Sequence, residues 1–431
     1  MISIKHREAA PTPPMGWNSW DCYGASVTED ELLGNAQYMA KHLKQHGWEY
    51  IVCDIQWYEP HAQSTVYRDF VPLEMDEYSR LIPAVNRFPS SANGAGFRPI
   101  ADLIHNLGLK FGIHIMRGIP RQAVHQNTPI LNSNVCAREI AQQFSICSWN
   151  TDMYGVNAEA QGAAEYYNSL FKLYAEWQVD FVKVDDICDT KFAPNNPYSA
   201  WQEIELIRNA INSSGRKMVL SLSPGPATIE NAWHLSQNAN MWRMTDDLWD
   251  NWLALLAMFE RCELWSTHVG DGCWPDCDML PLGKISIRGY EAPRFTRLTH
   301  AEQITMMTLW CIFRSPLMMG GEMRENDDWT FSLLTNDEVL RLITHSFGAR
   351  QLEKSRDIVV WGSKDRNGSQ YIALFNISNQ KKVVSVDLQS YGFSQISCIK
   401  ELWEKQTYEV AGGILKKSIE LHGSALFQLT Q

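Results

Sequence analysis

Along residues 1–345, short apolar runs alternate with longer stretches of helical period, a pattern that confines this part of the chain to a parallel α/β architecture. Thr28 and Glu31 form a capping-box pattern that opens a helix running to about His46, where Gly47 stops it. Helical stripes are also expected over 163–177, through Tyr166, Leu170 and Tyr174, and over 299–313. Strands are expected at Met15–Trp20, Trp48–Asp54, Gly108–Ile115, Phe181–Asp185, Lys217–Ser221, Asn240–Thr245, Glu263–His268 and Leu317–Met319. Eight is the strand count of a (β/α)8 TIM barrel. Two connections, about 58–98 and 116–162, exceed the usual βα loop, and such insertions tend to form functional walls or lids.

After Leu352 the period shortens to β-rich runs at Ile358–Trp361, Tyr371–Phe375, Val383–Leu388, Ile396–Leu402 and Ala425–Leu429. Asn367-Gly368 between the first two is a hairpin turn signal. The expected organisation is a barrel over 1–345, followed by a small antiparallel, β-sandwich-like domain over 346–431.

Composition narrows the function. The formal charge of −11, with no basic cluster, argues against nucleic acid as partner, because phosphate binding needs a basic face. No apolar run reaches the roughly 20 residues that span a bilayer, and Met1–His6 carries no apolar signal core, so neither membrane association nor export is expected and the chain reads as cytoplasmic. Ten cysteines show no dense framework and fit a reducing compartment. Cys273 and Cys277 form a C-x3-C pair, but no second pair or nearby His-x-His completes a zinc site, so no metal and no other cofactor is expected.

The sharpest local signal is Phe181-Val182-Lys183-Val184-Asp185-Asp186. With period two, Lys183 and Asp185 share one face while Val182 and Val184 point toward the helices, so the charges face the barrel interior. Such burial costs several kcal/mol unless the charges are paired, and natural chains usually tolerate it for function. A structural ion pair, with Asp186 as a helix N-cap, is the plain alternative. Other strand ends add acids: Asp54 after the second strand, Asp246 and Asp247 after the sixth, Asp276 and Asp278 after the seventh. A lone loop aspartate is ordinarily a turn residue. Several converging on one barrel mouth, interleaved with Trp17, Trp20, Trp57, Trp242 and Trp274, match glycoside hydrolysis: one carboxylate to attack, one acid to protonate the leaving oxygen.

On these motifs the chain resembles glycoside hydrolase family 27, the α-galactosidase and α-N-acetylgalactosaminidase family. Pro13-Pro14-Met15-Gly16-Trp17-Asn18-Ser19-Trp20 is similar to its opening motif. Arg87-Phe88-Pro89 and Gly108-Leu109-Lys110-Phe111-Gly112-Ile113 fit the approach to strand three. Lys183-x-Asp185 resembles the nucleophile motif, and Trp242-Arg243-Met244-Thr245-Asp246-Asp247, followed by Asp250-Asn251-Trp252, overlays the acid/base motif, selecting Asp247 over Asp246. Trp274-Pro275-Asp276-Cys277-Asp278-Met279-Leu280 and Ser315-Pro316-Leu317-Met318-Met319 complete the series.

The resemblance implies a retaining exo-glycosidase that releases a terminal α-linked galactose or N-acetylgalactosamine, with Asp185 as nucleophile and Asp247 as acid/base. It further implies that Lys183 and Arg243 bind sugar hydroxyls, that Asp54 takes the axial hydroxyl, that Trp20 forms an apolar wall, and that Asp276 and Asp278 orient partners at the pocket rim. The partner is then an oligosaccharide or glycoside; oligomeric state is left open.

Three positions depart from the family. Where the second strand usually carries two acids, Asp54 is followed by Ile55, which cannot accept a hydrogen bond from a C6 hydroxyl; that bond is worth about 1.5–3 kcal/mol. β-L-arabinopyranose, which lacks C6, suits an apolar wall better. His114 stands where the family often has tyrosine. Ser223, in Ser221-Leu222-Ser223-Pro224-Gly225-Pro226-Ala227, is small as in the N-acetylgalactosaminidases, although the segment also reads as a tight turn. Galactose, N-acetylgalactosamine and arabinopyranose all remain open here. A catalytically silent sugar-binding barrel and a metal-dependent hydrolase built on His114 are the rival classes.

Overall fold

The computed structural model describes residues 4–196, 198–223, 226–393, 396–408 and 413–430. The Met1–Ser3 start and Pro224-Gly225 of the turn after the fifth strand lie outside these.

The barrel wall is formed by β1 (Met15–Asn18), β2 (Tyr50–Cys53), β3 (Lys110–Met116), β4 (Phe181–Asp185), β5 (Val219–Leu222), β6 (Met241–Arg243), β7 (Trp274–Asp276) and β8 (Leu317–Met319). All pair in parallel and in chain order, and β1 pairs with β8 as well as with β2. Between β7 and β8 closure rests on a parallel bridge from Leu280 to Met319, in which Leu280 N–H donates to Met318 O (2.8 Å) and Gly320 N–H to Leu280 O (2.9 Å).

Period-two alternation divides the interior into an apolar floor and a charged mouth. Tyr50, Val52, Phe181, Val219, Met241, Trp274 and Met318 fill the lower barrel as one buried cluster. One step along the same faces, toward the strand C-termini, come Asp54, Lys183, Ser221, Arg243 and Asp276. Val182 and Val184, on the opposite face of β4, are fully buried in the barrel's outer core. Catalytic groups of this fold are built at that C-terminal end.

Seven of the eight expected strands fall within two residues of the observed ends. The exception is Glu263–His268, which is the end of a helix (Trp252–Trp265) and a following 3-10 turn (Ser266–His268). The Asn251 side chain accepts from Ala254 N–H (2.9 Å), which caps a helix whose buried stripe is Leu255, Met258, Phe259, Cys262 and Trp265. Leu264, in the supposed strand, is 55% exposed. The seventh strand is Trp274–Asp276, three residues carrying a proline and an acid, too short to show an apolar run. The first strand ends at Asn18, and Trp20 opens a helical turn (Trp20–Tyr23) at the barrel mouth. The first helix is as the capping box indicates, with Thr28 N–H donating to Glu31 Oε2 (3.0 Å); it ends at His42 and a 3-10 turn carries the chain to His46.

The 58–98 insertion crosses the mouth with two isolated strand bridges and a 3-10 segment. The 116–162 insertion folds its own three-stranded sheet from Ile119–Pro120, Ala141–Ile146 and Met153–Val156.

From Ser346 the chain is antiparallel. Strands β9 (Ser346–Lys354), β10 (Ile358–Asp365), β11 (Gln370–Asn376), β12 (Lys382–Asp387), β13 (Cys398–Glu401), β14 (Gln406–Tyr408), β15 (Ile414–Ile419) and β16 (Ser424–Thr430) make two sheets, ordered β9-β10-β11-β16-β13-β14 and β12-β15. The Asn367-Gly368 turn joins β10 to β11, with Gly368 at φ 89°. Both faces of the central strands are buried: Val360, Ile372, Leu374 and Phe427 pack toward the two-stranded sheet, while Val359, Trp361, Phe375 and Leu426 join the barrel's core. Thr305 Oγ1–H donates to His422 O (2.7 Å) and the His422 ring stacks on Trp252 at 3.8 Å, fastening the two parts.

Candidate active site

A cavity of about 450 Å³ opens at the C-terminal mouth of the barrel. Its walls include Trp20, Asp54, Ile55, Lys183, Asp185, Arg243, Asp247 and Asp278 of the sequence-derived set, together with Asp21, Tyr67, Trp149, Trp249 and Tyr290. That size suits a ligand larger than one small ring.

Two charge systems meet there. In the first, Lys183 Nζ donates to Asp54 Oδ2 (3.1 Å), and Asn18 Nδ2 donates to the same oxygen (2.7 Å). Burial alone would raise the Asp54 carboxyl, but Lys183 and His114 hold it well below the usual carboxylate range. Burial likewise works against charge on Lys183, yet Asp54 and Asp185 raise the ammonium above its ordinary value. His114 Nε2 lies 2.9 Å from Asp185 Oδ2, and Asp186 N–H donates to Asp185 Oδ1 (2.8 Å). Asp186 reaches that position with φ 50°, a left-handed conformation that aspartate tolerates better than most residues. For Asp185, burial pushes the carboxyl up, and the His114 hydrogen bond and nearby Lys183 more than reverse it, leaving it below its ordinary value. The carboxylate is thus charged, desolvated and held at both oxygens.

The second system centres on Arg243. Its Nη2 donates to Asp247 Oδ1 (2.7 Å), and Nη1 lies 3.3 Å from Asp278 Oδ1. Burial disfavours the guanidinium, but Asp278 and Asp247 hold its pKa above the ordinary value. The Asp247 side chain is 59% exposed, in contrast to 12% for Asp185. Asp278 Oδ2 accepts from Leu248 N–H (2.7 Å), and Asp278 N–H donates to Asp276 Oδ1 (2.9 Å). Burial and the Asp278 charge push the Asp276 carboxyl up to about 7.

Three residues expected to bind substrate do not line the cavity. His114 is fully buried behind Asp185. Ser223 is buried, with Arg243 Nη1 at a long 3.5 Å from its hydroxyl. Asp276 and Asp278 are buried floor groups rather than rim residues, because β7 ends at Asp276 and carries both inward; only Asp278 faces the cavity. Of the five tryptophans read as interleaved with the acids, only Trp20 reaches it. Trp17, Trp57, Trp242 and Trp274 are core, and indole N–H groups of Trp17, Trp57 and Trp274 donate to Gly321 O, His114 O and Ala10 O. Asp186 caps no helix: its carboxylate pairs with Arg117 (3.0 Å), and its pKa is pushed up to about 6, chiefly by burial. The C-x3-C pair diverges, with Cys277 Sγ 3.6 Å from Cys262 Sγ and Cys273 bonded to Ser236 O.

Tyr67, Trp149 and Tyr290 escaped a residue-by-residue reading. The length of the two insertions marked the segments that supply Tyr67 and Trp149, but a single aromatic in a loop carries no period. Asp21, beside Trp20, was not singled out in the sequence. It is 5% exposed, and neither carboxylate oxygen has a donor among the described hydrogen bonds; burial and Asp278 push its pKa well above the ordinary value.

Comparison with known proteins places this geometry. The family model "Alpha galactosidase A" matches residues 153–344, and "Alpha galactosidase C-terminal beta sandwich domain" matches 355–429. An α-galactosidase from Cyamopsis tetragonoloba is 25% identical over 424 residues, covering 97% of this chain and 86% of that protein. A GH27 β-L-arabinopyranosidase from Geobacillus stearothermophilus is 60% identical with a TM-score of 0.97, covering 100% of this chain and 98% of that one. A Bacillus halodurans structure, provisionally named an α-N-acetylgalactosaminidase, is 53% identical with a TM-score of 0.87 and 97% coverage of both chains. With family models matching much of the barrel and the β-sandwich, and solved structures 60% and 53% identical along nearly the whole chain, the chain belongs to glycoside hydrolase family 27, the family of α-galactosidases and related O-glycosidases.

Proposed function

We propose that this chain is a retaining exo-glycosidase that prefers terminal β-L-arabinopyranosides over α-D-galactosides. Asp185 attacks the anomeric carbon and expels the aglycone; Asp247 gives its proton to the glycosidic oxygen, then takes one from the water that releases the sugar. Two inversions at one carbon retain its configuration. The charged, doubly hydrogen-bonded state of Asp185 suits a nucleophile, and the exposure of Asp247 suits a group that must meet both aglycone and water. Asp54, Lys183, Arg243 and Asp278 are assigned to sugar hydroxyls, with Trp20 as an apolar wall. His114 and Asp276 are positioning residues that act through Asp185 and Asp278.

The observation that carries the sugar preference is Ile55, which is 2% exposed and faces the cavity directly after Asp54. At that wall a C6 hydroxyl would lose its water without gaining an acceptor. The 60% identical Geobacillus enzyme is named for arabinopyranoside hydrolysis, and a variant of it was solved with arabinose. The expectation of room for an acetamido group rested on Ser223, whose hydroxyl turns to Arg243, so N-acetylgalactosamine has less support.

Aryl glycosides of β-L-arabinopyranose, α-D-galactose and α-D-N-acetylgalactosamine test the reading. Arabinopyranoside is expected to give the highest kcat/KM, and Ile55→Asp to move preference toward galactose by about 1.5–3 kcal/mol, roughly tenfold or more. An unchanged ratio in that variant would show that Ile55 does not face C6. Among the described residues no helix is long and apolar enough to cross a membrane. The ten unpaired cysteines, most of them buried, support a reducing, cytoplasmic setting.

A further inference from the structure

A second cavity, of about 540 Å³, lies at the end of the barrel opposite the carboxylates, where the N-terminal ends of the strands meet the β-sandwich. The barrel contributes Thr12 ahead of β1, Thr267 and Asp271 ahead of β7, and Arg314 ahead of β8. The β-sandwich contributes Arg350 from β9 and Arg366 from the turn between β10 and β11, with His345 beside them. Three arginines therefore converge on one cavity, and Asp271 is the one acid on its wall among the described residues. In a chain of formal charge −11 this is a local reversal of sign.

Arg314 is placed there by the backbone. It follows the helix His300–Phe313 with φ 70°, a left-handed conformation that helix ends ordinarily give to glycine or asparagine. The turn carries its side chain to the start of β7, where the guanidinium carbon stands 4.7 Å from the centroid of the Trp274 ring. Nε donates to Ile343 O (3.0 Å), and neither Nη1 nor Nη2 has an acceptor among the described residues, although Arg314 is only 9% exposed. Burial, reinforced by the Arg366 charge, lowers the guanidinium to about 10, and Asp271 offsets only part of this. Arg243 at the catalytic mouth is as deeply buried, but there two carboxylates raise it. Arg350 and Arg366 likewise form no ion pair within 4.0 Å among the described residues; Asp365, beside Arg366, is taken by Arg341 (3.0 Å). A bulge in β9 between Phe347 and Arg350 brings Gly348 and Ala349 to the cavity wall, the kind of irregularity that re-aims a neighbouring side chain.

A buried cation that faces further cations and no close acid is costly unless an anion joins them. Guanidinium N–H groups match the oxygens of carboxylate or phosphate in pairs. Three arginines against one aspartate exceed what a single carboxylate needs and suit a phosphate monoester, with a charge of about −1.5 to −2 at pH 7. The cavity has the size of a small-molecule site rather than of a lone ion, and Thr12, Thr267 and Thr344 set hydroxyls on its wall, so the rest of the ester is polar as well.

We propose that the cavity between the foot of the barrel and the β-sandwich is a second ligand site, which binds a sugar phosphate through Arg314, Arg350 and Arg366. The bound anion joins the barrel to the β-sandwich, since the three arginines come from both.

Titration calorimetry on the full chain at constant ionic strength compares glucose 6-phosphate, inorganic phosphate, citrate and glucose. Glucose 6-phosphate is expected to bind once per chain and more tightly than inorganic phosphate, with no such binding by glucose. Arg350→Ala and Arg366→Ala, both at exposed positions, are each expected to weaken it about tenfold while leaving kcat/KM on an aryl glycoside at the wild-type value. Arg314→Lys, which keeps the charge and loses the fork, is expected to weaken it as well. No binding of glucose 6-phosphate, or binding that neither alanine variant changes, overturns the site. Equal affinity for inorganic phosphate and glucose 6-phosphate overturns the sugar ester. Citrate binding more tightly than either, and lost in the same variants, overturns the phosphate in favour of a polycarboxylate.

Discussion

His114 sits behind Asp185 with its Nε2 2.9 Å from Oδ2, fully buried and outside the lining of the cavity. Its Nδ1 has no hydrogen-bond partner among the described residues, so Nε2 is the ring nitrogen engaged by the carboxylate. The imidazole thus helps to hold the Asp185 carboxyl below its ordinary value against the effect of burial.

Asp185→Asn is expected to abolish turnover while fold and sugar binding persist, because only the nucleophile's charge is lost. His114→Phe should be milder and diagnostic. Asp185 is depressed in the folded state, so it stays ionised as pH falls until below the ordinary carboxylate range, and its stabilising contribution is lost there. Without the His114 donor the acidic limb of kcat/KM should move to higher pH. A limb that stays in place would separate His114 from the nucleophile.

Asp247→Ala should discriminate by leaving group. Natural linkages are expected to lose about 10²–10⁴-fold in kcat, whereas activated aryl glycosides, whose leaving oxygen needs little protonation, should retain far more. Equal losses on both would assign Asp247 to binding rather than proton transfer.

Asp21→Asn is expected to stabilise the protein near neutral pH. Its folded carboxyl is raised by burial and by Asp278, so the folded state holds a proton that the unfolded chain releases. Wild-type stability therefore falls as pH rises above the unfolded value of about 3.9, and the variant should escape that loss. A gain on the order of 1–3 kcal/mol is expected at pH 7, vanishing below about pH 4. Denaturant midpoints at both pH values measure it; a gain at low pH alone would reverse the argument.

Exhaustive chelation should leave activity unchanged, since two carboxylates and a proton account for the chemistry. Activity lost on chelation and restored by one divalent ion would sink the metal-free mechanism.

The sequence revealed most where period and burial coincide. β4 could be read to the residue, because its alternation places two valines outward and Lys183 and Asp185 inward. β7 could not be, because Trp274–Asp276 is three residues long and carries a proline and an acid instead of an apolar run. The same blindness moved Asp276 and Asp278 from floor to rim. Tryptophans were over-read: indoles beside acids in sequence were mostly core in space, since neighbours along a strand point to opposite faces. Ile55 stood out because it breaks a motif. Tyr67, Trp149 and Tyr290 did not, because non-local loop packing alone brings them to the mouth.

The bridge between Leu280 and Met319 makes the barrel's last joint its thinnest, while every other neighbouring pair of strands shares at least two register partners. On one side of that joint Asp276 and Asp278 hang from β7; on the other, Gly320 lies so close to Asp21 Oδ2 that any side chain there would collide with it. Local openings start where few bonds must break together. On warming, the joint at Leu280 is therefore expected to open before the other seven seams, exposing the buried acids of the cavity floor while the rest of the barrel and its fastened β-sandwich still stand.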